Sequence, residues 1–216
     1  MCFSAEASFT AAAVLGTIGA TTLKNCSSRS QFFLAAIPFL FAIQQLSEGV
    51  LWLQLTNQWS GSGASYHAKK VFLTFAFLIW PVWIPLALAC VEKVAWRRHL
   101  IFLDLACGIL LSLLNLSYAM QQDISVKIIN HSLQYVGNAP SQTILYPFIV
   151  LIPCFLSSVR SMWIFGILIA LAYGVADYYY TSTFVSVWCF FSAIVSLVIY
   201  KIIKNNQVGL EKSTNT

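Results

Sequence analysis

Long apolar runs alternate with short polar breaks along this chain, and the runs have the length of membrane-crossing helices. A hydrocarbon core of about 30 Å takes roughly 20 apolar residues in helical form. Read at that scale, the sequence predicts seven helices: Phe3–Leu23, Gln31–Leu55, Lys70–Val91, His99–Met120, Ser141–Leu156, Arg160–Tyr178 and Thr181–Ile203. Together they form one all-α transmembrane domain over residues 1–203, with a polar, disordered tail at 204–216.

Two breaks differ from the rest. Gln58–Ser65 is rich in glycine and serine and reads as a flexible loop. Gln121–Gln142 is the longest connection, and Ser125–Tyr135 within it alternates in the manner of a short hairpin. Val126, Ile128, Leu133 and Tyr135 give that segment an apolar face that must rest on something, which predicts a small lid between helices 4 and 5.

Composition narrows the class. Of 216 residues, 59% are hydrophobic and 9% charged. A soluble domain carries about a quarter charged residues, so this chain could not cover a water-facing surface, and no length remains for a separate soluble domain. The net charge of +5 does not imply nucleic acid, because the basic residues sit singly or in twos at helix ends. Nine of them (Lys24, Arg29, Lys93, Arg97, Arg98, Arg160, Lys201, Lys204, Lys212) fall on one side of the predicted topology, and three (Lys69, Lys70, Lys127) on the other. By the positive-inside bias, the N-terminus is expected outside and the C-terminus in the cytoplasm. The first run lacks a basic leader and a cleavage site, so it is expected to be a retained helix. No internal repeat supports an inverted-repeat transporter.

Packing signals are also present. Ser4, Ser8, Ala12, Gly16 and Ala20 recur every four residues and predict a close-contact ridge on helix 1. In helix 3, the prolines of Trp80-Pro-Val-Trp-Ile-Pro85 should kink the helix and free backbone carbonyls. Cys90, Cys107, Cys154 and Cys189 lie in apolar runs as packing residues, and no Cys/His spacing marks a structural zinc site.

Candidate chemistry centres on Glu48, since an ionisable group inside a membrane is costly and marks function by default. Gln44, Gln45 and Trp52 share its face of helix 2, making a polar stripe in an apolar helix. The plain alternative is a hydrogen-bond node between helices. Asp104 reads as a structural seam with Arg97 or Arg98, and Asp177 as a boundary residue beside Tyr178–Tyr180. Cys2, Glu6, Glu48, His67, His131 and Asp177 all fall toward the outer face by this topology. A carboxylate, an imidazole and a thiol are common ingredients of a metal site, so Cys2, Glu48 and His131 form a candidate set for a transition-metal ion. No HExxH, paired-histidine spacing or nucleotide loop accompanies them.

The opening Met1-Cys-Phe-Ser-Ala-Glu-Ala-Ser-Phe9 resembles an uncharacterised family of bacterial membrane proteins beginning Met-Cys-Phe-Ser-Ala-x-Ala-Ser-Phe. The likeness continues in Gln45–Trp52, Trp80–Pro85, His131–Tyr135, Leu156–Ser158 and Ser186–Cys189. It implies a seven-helix membrane domain and no established activity. Cys2, Ser4, Ser8, Glu48, Trp52, His131, Tyr135, Trp188 and Cys189 fall on the family pattern, whereas Glu6 and Gln44 depart from it. Gln44 stands where the family often shows histidine, which weakens a metal reading.

The expectation is therefore a protein of the lipid bilayer with an outer-facing polar site. Glu48, Gln45, Trp52, His131, Tyr135 and Trp188 would hold a metal ion or a small ligand for binding or transport. The alternatives are a lipid hydrolase, with Glu48 as base and Cys2 or a metal-bound water as nucleophile, and a structural or partner-binding subunit.

Overall fold

The computed structural model describes residues 4–26, 28–56, 63–120, 124–137 and 145–204. Among the described residues, seven helices follow one another: α1 (Ala5–Lys24), α2 (Arg29–Leu55), α3 (Ala64–Val91), α4 (Ala95–Met120), α5 (Leu145–Leu156), α6 (Met162–Tyr179) and α7 (Thr181–Lys204). A hairpin of β1 (Ser125–Ile129) and β2 (Ser132–Val136) stands between α4 and α5. Among the described residues, five helices (α2, α3, α4, α6 and α7) are long and apolar enough to cross a membrane, as a multi-pass membrane protein requires. The described part of α5 is shorter, at 12 residues. In α1, threonines interrupt the apolar run, and three return their hydroxyls to the backbone: Thr17 to Ala13 O, Thr21 to Thr17 O and Thr22 to Ile18 O, at 2.7–2.9 Å.

The outer surface of the bundle is apolar. On α4, Leu103, Leu110 and Leu113 are 58–64% exposed, while Gly108, Ser112 and Asn115 of the same helix are buried. Leucine out and small or polar in is the arrangement a hydrocarbon surround favours.

Helices α1 and α2 pack closely and antiparallel. A Cβ on Gly19 would stand 2.5 Å from the Phe39 nitrogen, and one on Gly49 would stand 2.9 Å from the Phe9 ring. The buried stripe of α1 is Ala5, Ser8, Ala12, Leu15, Gly19 and Thr22. This corrects the expected four-residue ridge: Ser8 and Ala12 belong to the contact and Gly16, half-buried, faces Ala42 at its margin, but Ala20 is exposed. A helix turns every 3.6 residues, so a strict four-residue row drifts off the seam, while alternating steps of three and four stay on it. Ser4 instead caps the helix, its hydroxyl accepting from Ala7 N.

Helix α3 begins at Ala64, a turn and a half before the expected Lys70. It carries a π-helical segment, Phe75–Ile79, just before Pro81. Pro85 has no N–H to give the Pro81 carbonyl one turn back. That carbonyl meets Gly108 of α4, where a Cβ would stand 2.0 Å from the oxygen. Ser112 donates to Leu78 O at 2.9 Å beside it, and Trp83 Nε1 donates to Phe33 O of α2 at 2.9 Å. The two prolines thus mark where α4 docks onto the backbone of α3.

The hairpin pairs Val126 with Tyr135 and Ile128 with Leu133 in antiparallel register. It rests on the bundle end formed by α2, α3 and α7. Ser132 and Leu133 are fully buried, and Leu133 joins one apolar cluster with Trp52, Leu51, Ala68 and Ala5. Tyr135 stacks on Phe72 of α3, ring centroids 4.8 Å apart. Lys69 of α3, itself buried, donates to Ile124 O at 2.6 Å. Ile128 stays 39% exposed, so the face expected to be apolar throughout is buried only in part.

Candidate ligand-binding site

Glu48 is wholly buried on α2, and the hydroxyl of Ser186 on α7 donates to its Oε1. One turn earlier on α2, Gln44 Oε1 accepts from Trp80 Nε1 of α3 at 2.8 Å. The Trp80 ring stacks on Phe41, centroids 3.9 Å apart. Gln45 lies beside the Glu48 carboxyl, and Cys189, one turn after Ser186, lies within electrostatic reach of it. Three helices therefore meet at one polar node inside an apolar bundle.

The node is incompletely satisfied. Among the described residues, Gln44 Nε2, Gln45 Oε1, Trp52 Nε1 and Ser8 Oγ are buried without a hydrogen-bond partner, and the Gln45 amide stands against Glu48 short of full hydrogen-bond geometry to its Oε2. Buried polar groups are nearly always paired, and each orphan costs about 1–3 kcal/mol. A concentration of orphaned donors and acceptors around one carboxyl is what a ligand or bound water would complete.

Trp80 and Cys189 also line a cavity of about 370 Å³ counting its open mouth, walled by Phe41, Tyr146, Phe165 and Trp188. Trp188 Nε1 is orphaned as well. Its ring packs edge-on against Tyr146 and Tyr173, with centroids 5.3 and 5.2 Å away, on the side of α5 and α6. Two residues from Ser186 on a helix, Trp188 faces nearly the opposite way, so it walls this cavity and not the Glu48 node.

The remaining expected site residues separate. Trp52 is buried one turn beyond Glu48, beneath Leu133 of the hairpin, and Tyr135 sits on Phe72 above it. His131 departs from the expected inward position. With Asn130 it forms the hairpin turn, at φ 57° and 48°, and it is exposed. Positive φ at both central positions marks a type I′ turn, whose twist matches that of the flanking strands. Cys2 lies outside the described residues. Among the described residues, no group of three or more His, Cys, Asp or Glu side chains comes together. Asp104 Oδ2 has no hydrogen-bond partner, so the expected pairing with Arg97 or Arg98 is not seen at that atom.

Three polar residues that matter here were not singled out from the sequence. Ser186 and Trp80 stood only within longer motifs, and neither carries a charge to mark it. Glu92 stands in no motif of the sequence. It is buried at the end of α3, where its carboxylate accepts from Val94 N at 2.8 Å, Ser158 Oγ at 2.6 Å and Ser158 N at 2.5 Å. Burial pushes this carboxyl upward, but the hydroxyl of Ser158 and the N–H groups of Ser158, Val94 and Lys93 outweigh it and hold it below the usual carboxylate value. Glu92 thereby clasps the α3–α4 turn to the α5–α6 turn, at the end of the bundle away from the hairpin.

No curated protein and no solved structure matches the chain. One family model does, over residues 1–213, and it is described as a family of unknown function, DUF6629. The match covers nearly the whole chain and agrees with the resemblance to an uncharacterised family, so the chain belongs to that family.

Proposed function

We propose that this protein crosses a bacterial inner membrane seven times, N-terminus outside and C-terminus in the cytoplasm, and binds or carries a small polar ligand at Glu48. The nine-to-three distribution of basic residues supports the orientation. It puts the hairpin on the outer face, as a lid over the site. The observation that carries the ligand reading is the buried Glu48 carboxyl, with one oxygen held by Ser186 and the other set among incompletely paired amides. Gln45 and Trp52 would supply donors to an occupant, with Tyr135 roofing it and Trp188 walling the adjoining aromatic cavity.

A small organic molecule suits this donor set better than a metal ion. Carboxamides and indoles are poor ligands for transition metals, and His131 is exposed at the hairpin turn. The reading is tested on the purified protein by a thermal-shift screen of small metabolites, with metal analysis alongside. A ligand that stabilises the protein and loses its effect in a folded Glu48→Gln variant is the expected result. Bound stoichiometric metal lost on Cys2→Ser would restore the Cys2, Glu48 and His131 set.

A second reading has its own observation. Ser186 to Glu48 and Trp80 to Gln44 join α7, α2 and α3 by side chains alone. If Glu48→Gln unfolds the protein and no ligand is found, the node is structural. The hydrolase alternative would use Glu48 as base with Cys2 or a metal-bound water as nucleophile, and lipid turnover abolished by Cys2→Ser or by a chelator would select it.

A further inference from the structure

A groove of about 750 Å³ runs down the outside of the bundle between α1 and α7. Glu6, Thr10 and Val14 form one wall, and Phe190, Ile194 and Leu197 the other. Val14 and Ile194 are 46% and 47% exposed, so the groove opens to the bundle's surround. Apart from Glu6 at one end and Thr10, its described lining is apolar or alanine, with no basic side chain.

The register of the helices brings this groove past the Glu48 node. Gly19 faces Phe39, Gly16 faces Ala42 and Gly49 faces Phe9, which sets Glu48 level with Thr10. Glu6 lies about one turn nearer the hairpin end, and Leu15 more than one turn beyond. On α7, Phe190 follows Ser186 by four residues, so it sits on the same face about one turn, or ~5 Å, below the Ser186–Glu48 bond. Ser8, on the stripe of α1 behind the groove, is wholly buried with an orphaned hydroxyl.

We propose that the α1–α7 groove is a lateral entrance from the bilayer to Glu48, and that what enters is a cationic amphiphile, an amine on an alkyl chain. The apolar walls take the chain. Glu6 at the mouth and Glu48 level with Thr10 both favour a positive head, and an anionic amphiphile of the same length would meet two carboxyls and no basic side chain along the groove. From Glu6 to Leu197 the walls are long enough to accept a chain of membrane-lipid scale. The inference rests on Glu48 being a ligand-binding group.

The test uses the full chain in phosphatidylcholine vesicles with a diazirine-bearing long-chain primary amine as photolabel. Labelling should map to α1 and α7, and dodecylamine should compete at least about tenfold better than dodecanoate. Ile194→Trp and Val14→Trp, each adding bulk at an exposed wall position and leaving the packed stripe intact, should each cut labelling at least about tenfold. Glu48→Gln should do the same. Equal competition by dodecanoate overturns the cationic assignment. Labelling lost in Glu48→Gln but unchanged in both tryptophan variants removes the entrance and leaves the Glu48 site standing. Labelling lost in the tryptophan variants but kept in Glu48→Gln overturns both, since the groove would then hold chains without reference to Glu48.

Discussion

Gly108 presses against the backbone oxygen of Pro81, and a methyl group added there would stand 2.0 Å from it. Neither partner can yield: one is helix backbone, and the other is the carbonyl that Pro85 leaves without a donor. Gly108→Ala should therefore separate α3 from α4 at a cost of about 1–3 kcal/mol or more. Gly174→Ala is the matched control, because nothing lies within 4 Å of the added carbon, and it should be neutral or stabilising by up to ~1 kcal/mol. Thermal unfolding in detergent distinguishes the two, and equal midpoints would contradict the close approach.

Ser186→Ala removes the donor to Glu48 Oε1 and leaves that oxygen orphaned. The expected loss is ~1–3 kcal/mol of stability, the cost of one buried unsatisfied group. Glu48→Gln retains an acceptor for Ser186 and should be milder. The Ser186→Ala, Glu48→Gln double variant should then be less destabilised than the sum of the singles, and strict additivity would show that the two residues are not coupled.

Glu92 makes stability depend on acid. Its folded pKa lies below the unfolded value, so the clasp contributes fully above the usual carboxylate range and is lost as pH falls through the folded pKa. Glu92→Gln should lower stability near pH 7 by about 1.5–3 kcal/mol, the range for hydrogen bonds to a charged group. Between pH 7 and 3 the melting temperature of the wild type should fall more than that of the variant, so the curves converge in acid. Parallel curves would refute the clasp.

The hairpin should loosen without the bundle melting when its tether is cut. Lys69→Met deletes the bond to Ile124 O, and Tyr135→Ala deletes the stack on Phe72. Each should raise amide exchange across 124–137 by about tenfold or more, a change of ~1.4 kcal/mol in local opening, while α4 and α6 keep their protection. Uniform exchange throughout would mean that hairpin and bundle unfold together.

Orientation has a direct test. A reporter active only in the cytoplasm should work when fused after Lys204 and fail when inserted at Ser62. The opposite result would place the hairpin and the Glu48 node on the cytoplasmic side.

The helices were legible because a run of 20 apolar residues leaves few alternatives, and the hairpin because alternation is visible over a few positions. Glu48 stood out for its charge. Its partner did not, because Ser186 is 138 positions away and serines are unremarkable in any helix. The Glu92 clasp spans 66 positions and joins two turns that pattern alone treats as loops. His131 was misplaced for a different reason: alternation says which strand residues face inward but not how many residues the turn consumes. The α1 ridge failed on period, since four-residue spacing looks regular in sequence yet winds around a 3.6-residue helix.

The π-helical segment Phe75–Ile79 carries a consequence for how this chain can vary in length. Such a segment holds one residue more than an α-helix would use, and its widened turn absorbs that residue while keeping the two halves of α3 in nearly the same relative rotation. The first half presents Phe72 to Tyr135 and Lys69 to Ile124 O; the second presents Trp80 to Gln44 and Trp83 to Phe33 O. Deleting one residue from 75–79 would convert the segment to α-helix and leave the two halves in register, whereas a deletion elsewhere in α3 would turn them by about 100° relative to each other. Only the second kind of deletion would cost the hairpin or the polar node its partner. A single-codon deletion scan along α3 should therefore find this segment more tolerant than the helix on either side of it.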